Sequence, residues 1–264
     1  MEIPGLALRE VLARTEHLDV YRCVRASDNK SLVVKILNED YVGNDRVISQ
    51  LILGCEHHSR VQHPNVVPIF HFTRKDDSFY IVEGYIAGPC LLDALATGIS
   101  FPKLVERIIG VTKGLAAVHA AGIVHGDLKP EHIRVRSNGI PQILDFSHAV
   151  KVGQQGDGWG TPGYLSPEQS LGLAVDGRSD LYSLGLVVFR ALAGYVPPLS
   201  PNSATQTQRA PRLPDHFSLL QPFIDKALAV DVKSRFETAQ EFGAALLQHA
   251  EQAQEHRVLP MIRS

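Results

Sequence analysis

At 264 residues the chain can bury a sizeable core, as one large domain or as two lobes sharing a cleft. Its 26 basic and 28 acidic residues nearly cancel, so no net field favours nucleic acid or an anionic membrane as main partner; binding through a local patch stays open. No uninterrupted apolar run approaches the roughly 18 residues of a membrane span, and the opening MEIPGLALRE lacks a basic segment followed by an apolar one, so a cytoplasmic protein is expected.

Up to about residue 84 the pattern favours strands. LDVYRCVRA (18–26), SLVVKIL (31–37), VVPIFHF (66–72) and SFYIVEGY (78–85) are β-branched or aromatic runs divided by polar turns such as SDNK and RKDD. Between them DRVISQLILGCEHHSRV places Ile48, Leu51, Ile52 and Cys55 at helical spacing, and HPN (63–65) stops the run. Past residue 90 the pattern turns helical. FPKLVERIIGVTKGLAAVHAAG gathers Val105, Ile108, Ile109, Thr112, Leu115, Ala116 and His119 on one face, with Gly122 as its C-cap. DLYSLGLVVFRALAG (180–194), apolar nearly all round, reads as a buried helix. Residues 196–214, rich in Pro, Ser and Thr, read as an exposed loop, either inert or a modification or docking segment. A last helix from Thr238 to about His249 opens with the capping-box order Thr-Ala-Gln-Glu, and the tail after Glu251 is polar and expected to fray. Cys23, Cys55 and Cys90 sit in apolar contexts without CxxC spacing, which reads as small core residues in a reducing compartment rather than a zinc site.

A strand-rich part before a helical part predicts an α+β molecule of two lobes, divided as 1–84 and 85–252, with a polar tail over 253–264. The cleft is expected at the join, near Tyr85 to Gly88.

In the second part HGDLKPEHI (125–133) is followed by ILDFS (143–147), GTPGYLSPEQ (160–169) and RSDLYSLGLVVF (178–189). Together with VVK (33–35), HPN and DVKSRF (231–236), these blocks make the chain resemble the protein kinase family, particularly bacterial serine/threonine kinases, over essentially its whole length. The resemblance implies a bilobal protein-kinase-like fold, with a β-rich N-lobe carrying one helix and a mainly helical C-lobe. It also implies ATP and Mg²⁺ as cofactors and a protein as substrate or partner. Phosphoryl transfer needs cations on the phosphates and an acceptor for the hydroxyl proton. On the matching positions Lys35 would hold the α- and β-phosphates, Asp145 would bind Mg²⁺, and Asp127 would orient the substrate hydroxyl and accept its proton. Lys129 and Thr161 would steady the γ-phosphate and the catalytic aspartate, favouring Ser or Thr as acceptor. Val20, Val33 and Tyr85 fall at nucleotide-binding positions, whereas Asp180 and the pair Glu168 and Arg235 match positions that hold the fold.

Several positions depart from the family pattern. Where the Gly-rich loop should place glycines stand Ala13, Thr15 and Leu18, so the backbone approaches phosphate less closely and the grip on nucleotide should be weaker. The helix glutamate that pairs with the lysine is replaced by Gly54, and Glu56, about 200° further round an ideal helix, should point away. Glu83 falls at the gatekeeper position, where an acid needs a partner; Lys35 or Arg134 is expected. The second metal ligand is His132 rather than Asn, and imidazole suits Mn²⁺ or Zn²⁺ better than Mg²⁺. Arg134 replaces the apolar floor beneath adenine, where it would either stack on the base or fill the pocket. Gly126 stands for the arginine that answers a phosphorylated loop, and before SPE the loop offers only Ser147 and Thr161 as aliphatic hydroxyls, so activation by loop phosphorylation is not expected. Two functions are compatible with this set: an ATP-dependent serine/threonine kinase of low or atypical activity, holding one metal firmly, or a pseudokinase that senses nucleotide or binds a partner as a scaffold. A small-molecule kinase is disfavoured by GTPGYLSPEQ, which resembles a peptide-substrate segment.

Overall fold

A computed structural model describes residues 3–75, 77–155, 160–197, 211–255 and 261–262. Its first part is a five-stranded antiparallel sheet of β1 (Leu6–Arg14), β2 (Leu18–Arg25), β3 (Ser31–Leu37), β4 (Ile69–Lys75) and β5 (Ser78–Gly84), in the order β1-β2-β3-β5-β4. The strand β1 carries no inward-facing apolar set and is exposed along nearly all its length, so no alternation marks it in the sequence. β4 begins later than expected, after Pro68, which has no N–H to give a ladder. The preceding Val66 and Val67 are buried instead, with Val66 bridging Ile143.

Period-two alternation sorts the sheet into two faces. Cys23, Leu32, Val34, Tyr80 and Val82 pack on one side with Ile3. Leu18, Leu37, Phe79 and Ile81 pack on the other against α1 (Asp45–Ser59), through its Val47, Ile48, Leu51 and Cys55. The Asn44 side chain caps α1 by accepting from the Val47 N–H. In the strand register Val20 lies opposite Lys35, Lys35 opposite Ile81, and Val33 opposite Glu83. Directly paired residues share a face, so Val20, Val33, Lys35 and Glu83 all lie on the side that α1 covers.

After β5, residues 85–90 lead into the helical lobe. It comprises α2 (Leu91–Thr97), β6 (Ile99–Ser100), α3 (Phe101–Ala120), β7 (Ile123–Val124), β8 (Ile133–Val135), β9 (Pro141–Ile143), β10 (Val150–Lys151), α4 (Pro167–Ser170), α5 (Gly177–Ala193), α6 (Gln221–Ala227), α7 (Ala239–Glu255) and β11 (Met261–Ile262). α5 is buried nearly all round, as its composition predicts, and packs among Ile108 and Leu115 of α3, Phe223 of α6 and Phe242 of α7. It starts three residues before the expected Asp180, because Asp176 caps it. α2 has no counterpart in the sequence reading.

The stretch expected to fray is ordered in part: α7 continues to Glu255, and Met261–Ile262 pairs antiparallel with β6. Of the expected loop over 196–214, residues 198–210 lie outside the described residues. All three cysteines are buried and free, as expected. No helix among the described residues is long and apolar enough to cross a membrane. The fold is therefore the bilobal α+β arrangement that the resemblance implies.

Candidate active site

The loop between β7 and β8 is held from beneath. At the start of α5, the buried Asp180 accepts from the N–H groups of His125 (2.8 Å) and Gly126 (2.9 Å), while Gln169 donates to the Gly126 carbonyl (2.7 Å). Gly126 has φ +82°, and a Cβ there would stand 2.6 Å from the His148 carbonyl oxygen. The backbone thus excludes the arginine that the pattern would place at this position. Farther from the cleft, Arg235 and Glu168 form a buried two-pronged pair, both contacts at 2.8 Å, as the sequence suggests.

This base presents Asp127, buried to 5% exposure, to the cleft. Its Oδ1 accepts from the Thr161 N–H at 2.6 Å, and its Oδ2 lies 3.3 Å from the Lys129 ammonium. Lys129 in turn donates to the Thr161 hydroxyl at 2.5 Å, closing a three-residue net. Burial pushes the Asp127 carboxyl up, but His132, Lys129 and Thr161 together outweigh this and hold it below the usual range.

Across the cleft Lys35 lies 3.2 Å from Glu83 and 3.4 Å from Asp145. Of the two partners expected for Glu83, the structure selects Lys35. Burial pulls the lysine down, yet the two carboxylates raise it overall; burial likewise pushes Asp145 up, but Lys35 and His132 hold it well below the usual range. The reason for the substituted partner lies in α1. A Cβ on Gly54 would meet the Phe146 carbonyl oxygen at 2.5 Å, so no side chain fits there, and Glu56 is exposed as its helical phase requires. The lysine's partner has moved from the helix to the neighbouring strand.

A column of rings, which the sequence reading missed, joins the two sides. His58 of α1 stacks on Phe146 (4.2 Å between centroids, 14° between planes), and Phe146 meets His125 edge-on at 4.8 Å. His58 also donates to the Val67 carbonyl at 2.6 Å and comes within 3.7 Å of Glu83. Its signal was present in the sequence: Leu51, Cys55 and His58 continue one helical stripe.

His132 stands between the two aspartates. Its Nδ1 is 2.8 Å from the Asp127 carbonyl oxygen, and its Nε2 is 3.5 Å from Asp145 Oδ2. Arg134, on β8, donates from Nη1 to the Ile86 carbonyl at 3.1 Å, which sets its guanidinium against the segment joining the lobes. Arg22 lies over the Tyr85 ring at 5.1 Å. At the outer end, the β1–β2 turn is closed by side chains. Thr15 Oγ1 donates to the Leu18 carbonyl and accepts from the Leu18 N–H, and Asn38 donates to the carbonyls of Thr15 and Glu16. The N–H groups of Thr15 and Leu18, donors that could have met phosphate, are thus occupied within the protein.

Asp127, Lys129, His132, Asp145 and Thr161 line one cavity of about 560 Å³ with this turn and α1. A hollow of about 620 Å³ lies elsewhere, between α3, α7 and the β8–β9 turn, and contains none of the expected site residues.

Residues 15–255 match the family model described as protein kinase domain. Among curated proteins, the chain is 32% identical over 252 residues to serine/threonine-protein kinase pkn2 of Myxococcus xanthus, covering 86% of this chain and 30% of that protein. It is 29% identical to serine/threonine-protein kinase PrkC of Bacillus subtilis, covering 82% of this chain and 36% of that one. The chain thus spans about a third of the length of these relatives. A crystal structure of a double mutant of the Mycobacterium tuberculosis PknI kinase domain superposes with a TM-score of 0.77 at 24% identity, covering 95% of this chain and 97% of that one, which supports the fold. With the family model spanning both lobes and the charged net seated where the motifs place it, the chain belongs to the protein kinase domain family.

Proposed function

We propose that the chain is an ATP-dependent protein serine/threonine kinase of low or atypical activity. The observation that carries this reading is the Asp127–Thr161–Lys129 net facing the Lys35–Asp145 pair across one cleft. In this reading Val20 and Val33 roof the nucleotide, Glu83 and Tyr85 border it, and Lys35 neutralises its inner phosphates. Asp145, ionised and offering oxygen, fits a divalent cation such as Mg²⁺, which would neutralise charge on the phosphates when bound. Asp127 orients the incoming hydroxyl and takes its proton, and being ionised at neutral pH it is ready to do so. Lys129 offsets charge on the γ-phosphate, and Thr161 fixes both side chains, which suits a short Ser or Thr hydroxyl. Low activity follows from the closed β1–β2 turn, which offers few backbone donors to phosphate.

The test is transfer of labelled γ-phosphate to a serine- and threonine-rich protein with Mg²⁺ or Mn²⁺, beside a direct measure of ATP binding. Asp127→Asn should lose transfer by about 10²- to 10⁴-fold while still binding ATP. Transfer that persists in that variant would overturn the role of Asp127. A second reading, a pseudokinase scaffold, is favoured by the Arg134 bond to the Ile86 carbonyl, which sets a cation in the base region. ATP binding without transfer to any protein, or no binding with either metal, would decide for it.

A further inference from the structure

We infer that Asn38 is a positioning residue for nucleotide phosphate: it turns the peptide groups of the β1–β2 turn so that the Glu16 N–H faces the cavity and donates to a phosphate oxygen. The inference rests on the kinase reading above and adds to it a residue outside every motif block. Asn38 follows the last residue of β3, and its backbone N–H donates to the His17 carbonyl at 2.9 Å. Its side-chain amide donates to two more carbonyls of the turn, Thr15 at 2.8 Å and Glu16 at 2.7 Å. Three consecutive carbonyls therefore face one residue. The contacts fix the amide's orientation, since a flipped group would set its oxygen against two carbonyl oxygens.

In a trans peptide, as these are, the N–H points opposite to the carbonyl, so the N–H groups of Glu16, His17 and Leu18 point away from Asn38. That side is the cavity. Thr15, Glu16, His17 and Leu18 line it together with Asp127 and Asp145, and Asn38 does not. The Leu18 N–H is taken by the Thr15 hydroxyl at 3.1 Å, whereas the Glu16 N–H has no acceptor among the described residues. Glycines aim such a turn at an anion by adopting conformations closed to other residues. None of residues 15–17 has a positive φ, so here the turn keeps ordinary backbone geometry and a side chain from the next strand end orients it. The Glu16 carboxylate is drawn off towards Tyr41, whose hydroxyl donates to Oε1 at 3.4 Å and whose N–H bonds the Asn38 carbonyl. At 77% exposure that carboxylate is also screened by solvent. One such donor is less than a glycine-rich loop supplies, in keeping with low activity.

The experiment uses the full chain and compares ATP with adenosine, which shares base and ribose but carries no phosphate. By titration calorimetry with Mg²⁺, wild type should bind ATP more tightly than adenosine. Asn38→Leu keeps the size and adds no charge but removes both donors; it should weaken ATP by about tenfold and change adenosine by less than twofold. A merely structural role would weaken both alike. A second measurement needs no variant: the Glu16 amide resonance of ¹⁵N-labelled wild type should move downfield with ATP and stay in place with adenosine. Equal losses for the two ligands, tighter ATP binding by the variant, or a Glu16 amide that ATP leaves unmoved would overturn the inference. The kinase reading would still stand if transfer requires Asp127. Wild type that binds no ATP would overturn both.

Discussion

Arg134 donates to the Ile86 carbonyl from the strand beneath the β2–β3 roof, at 3.1 Å. The resemblance places adenine between that roof and this floor, and a base using the polar groups of the joining segment competes with the guanidinium for Ile86. A hydrogen bond with one charged partner contributes about 1.5–3 kcal/mol. Arg134→Leu removes the competitor and restores an apolar floor, so it should tighten ATP binding by about tenfold, measured by titration calorimetry. Weakened binding would instead mean that the guanidinium stacks on the base, the other role open to it. The same residue shows what sequence alone could resolve. The match of EHIR to the family pattern implied a cation at the floor, but its direction depends on Ile86, which lies 48 residues earlier and meets it only in the folded chain.

At the scale of the element, α1 sets how Lys35 is held. A glycine inside a helix costs about 1 kcal/mol relative to alanine, so propensity alone makes Gly54→Ala stabilising. The contact argues the opposite. The added Cβ would stand 2.5 Å from the Phe146 carbonyl oxygen, a backbone atom in the column His58–Phe146–His125, and α1 would have to move off that column. Gly54→Ala should therefore destabilise the protein by about 1–3 kcal/mol in denaturant unfolding; a stabilised variant would show that α1 yields at no cost. The sign of this one substitution separates local propensity from tertiary packing. It also explains which elements the sequence revealed. The loops of the site were readable because their chemistry sits within a few consecutive residues, as in HGDLKP and GTPGY. The strand β1 was not, since an exposed edge leaves no inward stripe. The choice of Lys35 over Arg134 as partner of Glu83 depended on strand register, with Val33 opposite Glu83, and single-strand alternation does not specify register.

Across the whole molecule, buried titratable groups tie both lobes to pH. His58 on the sheet side faces Glu83 and Lys35, and His125 in the helical lobe faces Asp180, His132 and Asp127; burial lowers both imidazoles despite the nearby carboxylates. Unfolded histidine titrates near pH 6.5, so below that value the unfolded chain binds protons that the native state refuses. Stability therefore falls as pH drops from about 6.5, by at most about 1.4 kcal/mol per pH unit for each histidine. Glu168 acts in a lower window. Burial raises it, but Arg235 and Ser179 lower it overall, so its contribution is complete above the ordinary glutamate value of 4.5 and is lost as pH falls through its depressed native value. Thermal melts between pH 7.5 and 5 should show Tm falling before any carboxylate of this kind titrates. His58→Leu should flatten that slope by the share of one proton, whereas Glu168→Gln should lower stability by about 3–5 kcal/mol at neutral pH, leaving Arg235 buried without its counter-charge, and keep the slope of wild type. A Tm that stays level from pH 6.5 to 5 would mean that the native state accepts these protons and that burial does not lower the two imidazoles.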